Sequence, residues 1–294
     1  MTLEQLPPLR AIIEELELSA RKSLGQNFLL DLNLTRRIAR EAGPLSGEYV
    51  LEIGPGPGGL TRALLLEGAA HVLVVERDPR CLPALEQIAA ASEGRLSIHM
   101  GDALACDESK LVDGTAVHVV ANLPYNVGTP LLVKWLSTDS WPPWFKSLTL
   151  MFQREVAERI VATPGSHAFG RLSIISQWRT RPRILFDVNR SAFTPAPKVT
   201  SSVVRFDLLP QPRGDAALKD LERVTAAAFG QRRKMLRSSL RSLGPFSDRM
   251  IEMAQLDPTS RAEEVAVEGF AALARALAAY NQASSVRTNP ESPV

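Results

Sequence analysis

Asn122-Leu123-Pro124-Tyr125 sets an amide, a proline-fixed turn and an aromatic ring in four consecutive residues. Those groups suit one task, holding a flat base by its exocyclic amine while stacking on its face. The N6 amine of adenine is a poor nucleophile because its lone pair is delocalised into the ring. Acceptors on its two hydrogens, the Asn122 side-chain oxygen and a main-chain carbonyl such as that of Leu123, could draw the nitrogen towards sp³ and free that pair. Pro124 would hold the loop's shape and Tyr125 would stack on the ring. Alone, the four residues read better as an ordinary turn, because Asn and Pro are turn formers. Their placement reverses that preference. They follow an apolar run from Ala116 to Val120 that reads as a buried strand. Ligands of open α/β sheets bind at the carboxyl ends of such strands.

A second aromatic lies in Phe193-Thr194-Pro195-Ala196-Pro197-Lys198. Two prolines make this a stiff loop. Phe193 could close on the other face of the base, and Lys198 could meet a phosphate. Stacking contributes about 1–3 kcal/mol per base, comparable to the few kcal/mol that unstacking a base requires. A core phenylalanine is an equally good reading of Phe193 taken alone.

A donor for the amine is suggested upstream. Leu51-Glu52-Ile53-Gly54-Pro55-Gly56-Pro57-Gly58-Gly59 joins a strand to a helix, and Glu76 ends the next strand 22 residues after Gly54. Gly54, Gly56 and Gly59 carry the spacing of a dinucleotide fingerprint. Pro55 and Pro57, however, remove N–H donors that a pyrophosphate needs. S-adenosylmethionine (SAM) has no phosphate, and its methionine part would lie against the loop. Glu76 can accept from both ribose hydroxyls, and Asp102, after the third strand, from the adenine amine. The loop therefore favours SAM over NAD. Methyl transfer would then depend on positioning for in-line attack, with no general base strictly required before it and Asn122 between cofactor and base.

Composition sets limits. The 294 residues are 45% hydrophobic and 22% charged, with net charge +2, as expected for one large and one small globular domain. No apolar run spans a bilayer, and no signal or transit peptide pattern is visible. A cytoplasmic protein is expected. Cys81, Cys106 and four scattered histidines show no ligand spacing, so no metal is expected. Basic residues concentrate between Arg179 and Arg205, and in Arg232, Arg233, Lys234, Arg237 and Arg241, the latter with no acid among them. Each run suits either phosphate binding or a solvated face.

The elements that must position these groups alternate. Residues 1–20 read as an extension with a short helix after Pro7-Pro8. Asp31 caps a helix running to Ala42, ended by Gly43-Pro44. Strands are expected at 49–53, 71–76, 96–99, 116–121 and 147–152, with helices between them, including 60–67, a helix from the Asp78-Pro79 cap to about 91, 130–136 and 154–161. This predicts an α/β, Rossmann-like, mostly parallel sheet with helices on both faces. Strands at 181–188 and 201–209 would close its edge as an antiparallel pair. After the linker 210–214 the chain reads as all helix, at about 215–229, 231–243, 247–255 and 261–280, with a Ser260–Glu263 capping box. The expected organisation is an extension over 1–20, a methyltransferase domain over 21–209, a helical domain over 215–281 and a disordered tail over 282–294.

Taken together, Lys22–Leu29, Leu51–Thr61, Glu76, Gly101-Asp102, Asn122–Asn126, Phe193–Ser201 and Gln231–Leu236 resemble the small-subunit rRNA adenine N6,N6-dimethyltransferases, in that family's order. The resemblance implies a SAM-dependent Rossmann-like domain and a small helical domain that helps seat RNA. It implies two methyl transfers to each of two adjacent adenosines near the 3′ end of 16S rRNA, within a small-subunit precursor. By residue, Asn27 and Leu29 would line the SAM pocket, Gly54 and the Gly56 loop would meet the methionine part, Glu76 the ribose, Asp102 the adenine and Asn122 the transferred methyl. Lys198, Arg232, Arg233, Lys234 and Arg237 would contact RNA, and a monomer is expected. The alternatives are a large-subunit adenine methyltransferase of the macrolide-resistance type, a non-enzymatic assembly or transcription factor on the same fold, and an NAD oxidoreductase.

Overall fold

The computed structural model describes residues 2–21, 24–138 and 140–287, the last four of these as backbone only. Lys22 and Ser23 of the Lys22–Leu29 stretch lie outside the described residues, as does the end of the expected tail from Thr288. The strands are β1 (Phe28–Leu29), β2 (Tyr49–Ile53), β3 (His71–Glu76), β4 (Leu96–Met100), β5 (Val117–Ala121), β6 (Phe145–Gln153), β7 (Thr180–Val188), β8 (Phe193–Thr194) and β9 (Ser201–Leu208). The helices are α1 (Leu9–Glu15), α2 (Leu32–Glu41), α3 (Gly59–Leu66), α4 (Leu82–Ala91), α5 (Glu108–Leu111), α6 (Tyr125–Leu136), α7 (Arg154–Val161), α8 (Arg171–Arg179), α9 (Leu218–Gly230), α10 (Leu236–Ser239), α11 (Ser247–Met253) and α12 (Val267–Arg287).

Seven strands form one sheet in the order β4-β3-β2-β5-β6-β9-β7. β4, β3, β2, β5 and β6 run parallel, and β9 joins β6 antiparallel. β2 pairs with both β3 and β5, so the winding reverses there and opens a crevice at the strands' carboxyl ends. The central strands are nearly continuous runs of Val, Leu and Ile, as burial on both faces demands. Val50, Leu51, Val72, Val74, Val119 and Val120 are all at most 1% exposed.

The chain divides into two compact units. One holds residues 1–157 and 182–208; the other holds 158–181 and the residues from Leu209 onward. Residues 158–181, expected with the sheet, thus group with the C-terminal helices. The reason is apolar: Phe169, Ile174 and Trp178 share a core with Leu221, Val224, Phe270 and Leu277. The N-terminal extension belongs to the sheet unit. Leu3 and Leu6 enter its main core, and Ile12 and Leu18 pack with Ala84 of α4. The Arg62 guanidinium ties the extension down by donating to the carbonyls of Pro7 (2.9 Å) and Leu6 (3.0 Å).

Three local expectations need correction. Residues 231–234 form a turn rather than helix, because Met235 is extended and bridges to Arg261. The capping box is one residue later than expected: Glu264 accepts from the Arg261 N–H at 2.7 Å and opens a 3₁₀ turn, not α12. Glu263 instead pairs with Arg232. Helix α12 also continues to Arg287, into the stretch expected to be disordered.

Candidate active site

The glycine turn follows β2 and is wound entirely on itself and on β3. Gly54 N–H donates to Val75 O at 2.9 Å, and Gly58 N–H donates to Pro55 O at 3.0 Å. Gly56 N–H donates to Glu76 Oε2 at 2.8 Å. Pro55 and Pro57 have no N–H. Every backbone donor from Gly54 to Gly58 is therefore absent or engaged, so a pyrophosphate would find no hydrogen bond on this part of the turn. Gly59, the next residue, cannot carry a side chain: a Cβ there would lie 2.7 Å from the carbonyl oxygen of Leu29. That approach presses Leu29 against the start of α3.

Glu76 ends β3 and is 5% exposed. Its other oxygen accepts from the N–H groups of Arg77 (2.8 Å) and Asp78 (2.7 Å). Burial raises its pKa above the ordinary carboxylate range, and the three N–H donors pull it part of the way back. Behind it lies Glu52, 1% exposed, with the Thr61 hydroxyl donating to it at 2.6 Å. Burial, with a smaller push from Glu76, raises Glu52 to about 8, against the pull of Thr61. Asp102 follows β4. Its Oδ1 accepts from Leu104 N–H at 3.0 Å and its Oδ2 pairs with Arg77 at 3.1 Å.

Asn122 stands just beyond β5, and its Nδ2 donates to the carbonyl of Asn27 at 3.3 Å. Leu123 is buried. Pro124 precedes the first residue of α6, which is Tyr125. The Tyr125 hydroxyl is 2.6 Å from Ser201 Oγ at the start of β9. A half-buried ion pair fastens α6 to the loop after Asp102. Lys134 Nζ donates to Glu108 Oε2 (2.7 Å) and to the carbonyls of Ala103 (2.8 Å) and Cys106 (2.5 Å), and Trp135 Nε1 donates to Glu108 Oε1 at 3.2 Å. With Glu108 only 2% exposed, this network sets the Asp102 loop against the helix that begins at Tyr125.

One cavity collects these groups. Asn27, Leu29, Gly54, Gly56, Glu76, Asp102 and Asn122 all line it, together with Leu123, Pro124 and Tyr125. Phe193 does not. It is 4% exposed, in the main core, paired with Leu29 across β1 and β8. The stiff loop therefore supplies a core residue and the strand that holds Leu29, not a second wall for a base. Lys198 is exposed.

The basic runs differ from their sequence appearance. Arg183 and Arg205 pair with Asp207, Arg154 pairs with Asp187, and the buried Arg179 lies 4.4 Å from the Trp178 ring centroid. In the second run, Arg232 is held by Glu263 (2.6 Å) and by the carbonyl of His167 (2.5 Å), which removes it as a free phosphate contact. Arg233, Lys234 and Arg237 are exposed. Glu52, Arg77, Gln26, Lys134 and Glu108 were not singled out by residue type. Gln26 and Glu52 had a signal, their places in the Lys22–Leu29 and Leu51–Thr61 stretches.

A Rossmann-like sheet, a glycine turn whose N–H groups from Gly54 to Gly58 are engaged or missing, and carboxylates at the ends of β3 and β4 define a SAM-dependent methyltransferase. The chain matches the family model for ribosomal RNA adenine dimethylase over residues 17–279, and it belongs to that family. It is 63% identical over 278 residues to the ribosomal RNA small subunit methyltransferase A of Azorhizobium caulinodans, covering 94% of each chain. It is 59% identical to that of Roseobacter denitrificans, covering 95% of this chain and 99% of the relative. Among solved structures it resembles a dimethyladenosine transferase from Plasmodium falciparum, with TM-score 0.70, 25% identity and coverage of 86% and 97%. It also resembles the 23S rRNA methyltransferase ErmE, with TM-score 0.65, 25% identity and coverage of 86% and 100%. No helix among the described residues is long and apolar enough to cross a membrane.

Proposed function

We propose that this chain dimethylates the N6 amines of two adjacent adenosines near the 3′ end of 16S rRNA, in a precursor of the small ribosomal subunit. The observation that carries the reading is the position of Asn122, on the wall shared by the cofactor cavity and the loop Leu123–Tyr125. The identity of about 60% to small-subunit enzymes over nearly the whole chain selects the RNA.

When bound, SAM supplies an electrophilic methyl group on a positive sulfur. Glu76 accepts from the ribose hydroxyls and Asp102 from the adenine amine. Asn27 and Leu29 close one side, and Gly54 and Gly56 leave room for the methionine part. The Asn122 side-chain oxygen and the Leu123 carbonyl accept the two N6 hydrogens of the target, while Tyr125 stacks on its ring. These contacts would align the target nitrogen in line with the methyl that SAM would supply, the sulfur keeping the bonding pair as the leaving group. The proton lost from nitrogen passes to solvent, so no residue has to act as a base beforehand. The chain's contribution is alignment and hydrogen bonding. Arg233, Lys234, Arg237 and Lys198 provide phosphate contacts.

The test is to incubate the protein, labelled SAM and undermethylated small subunits, and to map the label. Dimethyladenosine at the paired 3′ adenosines of 16S rRNA is expected. Label on large-subunit RNA would replace the reading with the ErmE-type activity, and no incorporation would remove it.

A further inference from the structure

Leu24 to Leu29 line the cofactor cavity from the N-terminal side, and a buried group helps to hold them there, beside the β1–β8 pairing and the Asn122–Asn27 bond. The Asp78 carboxylate is 2% exposed and accepts four hydrogen bonds. Arg80 provides three, from its N–H (3.2 Å), Nε (3.0 Å) and Nη2 (2.6 Å). The fourth comes from Gln26 Nε2 at 2.9 Å, across 52 residues of sequence. The Gln26 side-chain oxygen accepts from Arg21 N–H at 2.9 Å, and Arg80 Nη1 donates to the carbonyl of Ser19 at 3.1 Å. Asp78 in turn donates its own N–H to Glu76 Oε1. Asp78 thus joins three parts: its carboxylate meets the cavity wall at Gln26 and, through Arg80, the end of the N-terminal extension, while its backbone N–H meets the ribose-side carboxylate.

Arg80 and the local cap already satisfy Asp78 as the start of a turn. The long-range bond from Gln26 is not needed for that. What it adds is a tie between the wall and Glu76. The same wall meets the target-base loop: Asn122 donates to Asn27 O, and Gly25, at φ +65°, has Asn126 Oδ1 2.7 Å from where a Cβ would stand.

We propose that Gln26 and Asp78 form a latch that keeps Leu24–Leu29 closed over the bound cofactor, with Asp78 as the positioning residue for both that wall and Glu76. The proposal rests on the SAM reading above. It makes breaking the Gln26–Asp78 hydrogen bond one step in the release of the spent cofactor, S-adenosylhomocysteine.

The test measures S-adenosylhomocysteine affinity by calorimetry and its dissociation by stopped flow, for the full chain and for Gln26→Ala and Gln26→Glu. Gln26→Ala is expected to weaken binding about tenfold, the scale of one hydrogen bond to a charged group, chiefly through faster dissociation, with little change in Tm because Arg80 still neutralises Asp78. Gln26→Glu sets a carboxyl against Asp78, with Arg80 on the far side of Asp78, Arg21 N–H at its other oxygen and Glu76 beyond the Asp78 amide. Repulsion raises the pKa of that carboxyl. Its binding defect relative to the unaltered chain should therefore be large at pH 8 and shrink towards pH 5, where a shared proton restores a donor to Asp78. A merely structural role for Gln26 would give no such pH dependence. Release rates within twofold for Gln26→Ala, or a pH-independent ratio for Gln26→Glu, would overturn the latch. Failure of the unaltered chain to bind S-adenosylhomocysteine would instead overturn the cofactor reading.

Discussion

The hydroxyls of Tyr125 and Ser201 lie 2.6 Å apart, which fixes the ring at the mouth of α6 to the first residue of β9. Ser201 is fully buried and Tyr125 only partly so. The hydroxyl end of the ring is thereby anchored while the residue lines the cavity. Tyr125→Phe keeps the face and loses a hydrogen bond of about 0.5–1.5 kcal/mol, so methyl incorporation into small subunits should fall by no more than roughly tenfold. Tyr125→Ala loses the stacking surface as well and should lower single-turnover methylation by a hundredfold or more. Equal rates for the two variants would show that the ring does not stack.

Asn122→Ala removes the acceptor proposed for the target amine together with the donor to Asn27 O. Turnover should be abolished, while RNA affinity, measured by filter binding, stays within about twofold. Undiminished methylation would eliminate the hydrogen-bonding mechanism.

Glu52 gives the folded protein a pH signature. Its carboxyl keeps its proton to about 8 when folded, whereas in the unfolded chain it releases it near the ordinary 4.5. Between those values the folded state binds the extra proton, so this group lowers stability as pH rises through that window. Glu52→Gln is neutral throughout. Its stability advantage over the unaltered chain should grow from pH 5 to pH 8, by up to about 1.4 kcal/mol per pH unit, in urea denaturation at each pH. Parallel profiles for the two proteins would contradict this.

The cations of the 232–237 run should separate into two behaviours. Arg232 is bound to Glu263 and His167 O, so Arg232→Ala should lower Tm and leave the salt dependence of RNA binding nearly unchanged. Arg233, Lys234 and Arg237 are exposed. Neutralising all three should flatten the slope of log K against log salt by about 2–3. An unchanged slope would make them a solvated surface.

The sheet was readable from sequence because its strands are short apolar runs punctuated by Gly, Pro and Asp, and the glycine turn because proline and glycine have few conformations. Helix α8 carries no such signal: Leu172, Ile174 and Trp178 are buried on several sides, so no amphipathic period shows. The turn at 231–234 and the shifted capping box follow from the Met235–Arg261 bridge, a tertiary contact that overrides local propensity. Phe193 looked like a clamp because its loop is stiff, but stiffness says nothing of which way a ring faces, and register with Leu29 turned it inward. The pairing of Gln26 with Asp78 was hidden for a related reason: a hydrogen bond across 52 residues leaves no spacing to recognise.

The turn from Gly54 to Gly58 has one more effect. ATP and NAD offer the same adenosine as SAM, so groups that read ribose and adenine welcome all three. With each N–H from Gly54 to Gly58 engaged or missing and the Glu76 carboxyl beside them, a phosphate chain would find no hydrogen-bond donor on that stretch of the turn. That stretch of the turn therefore discriminates by what it withholds: the adenosine is shared, but the backbone from Gly54 to Gly58 offers a phosphate chain no hydrogen bond.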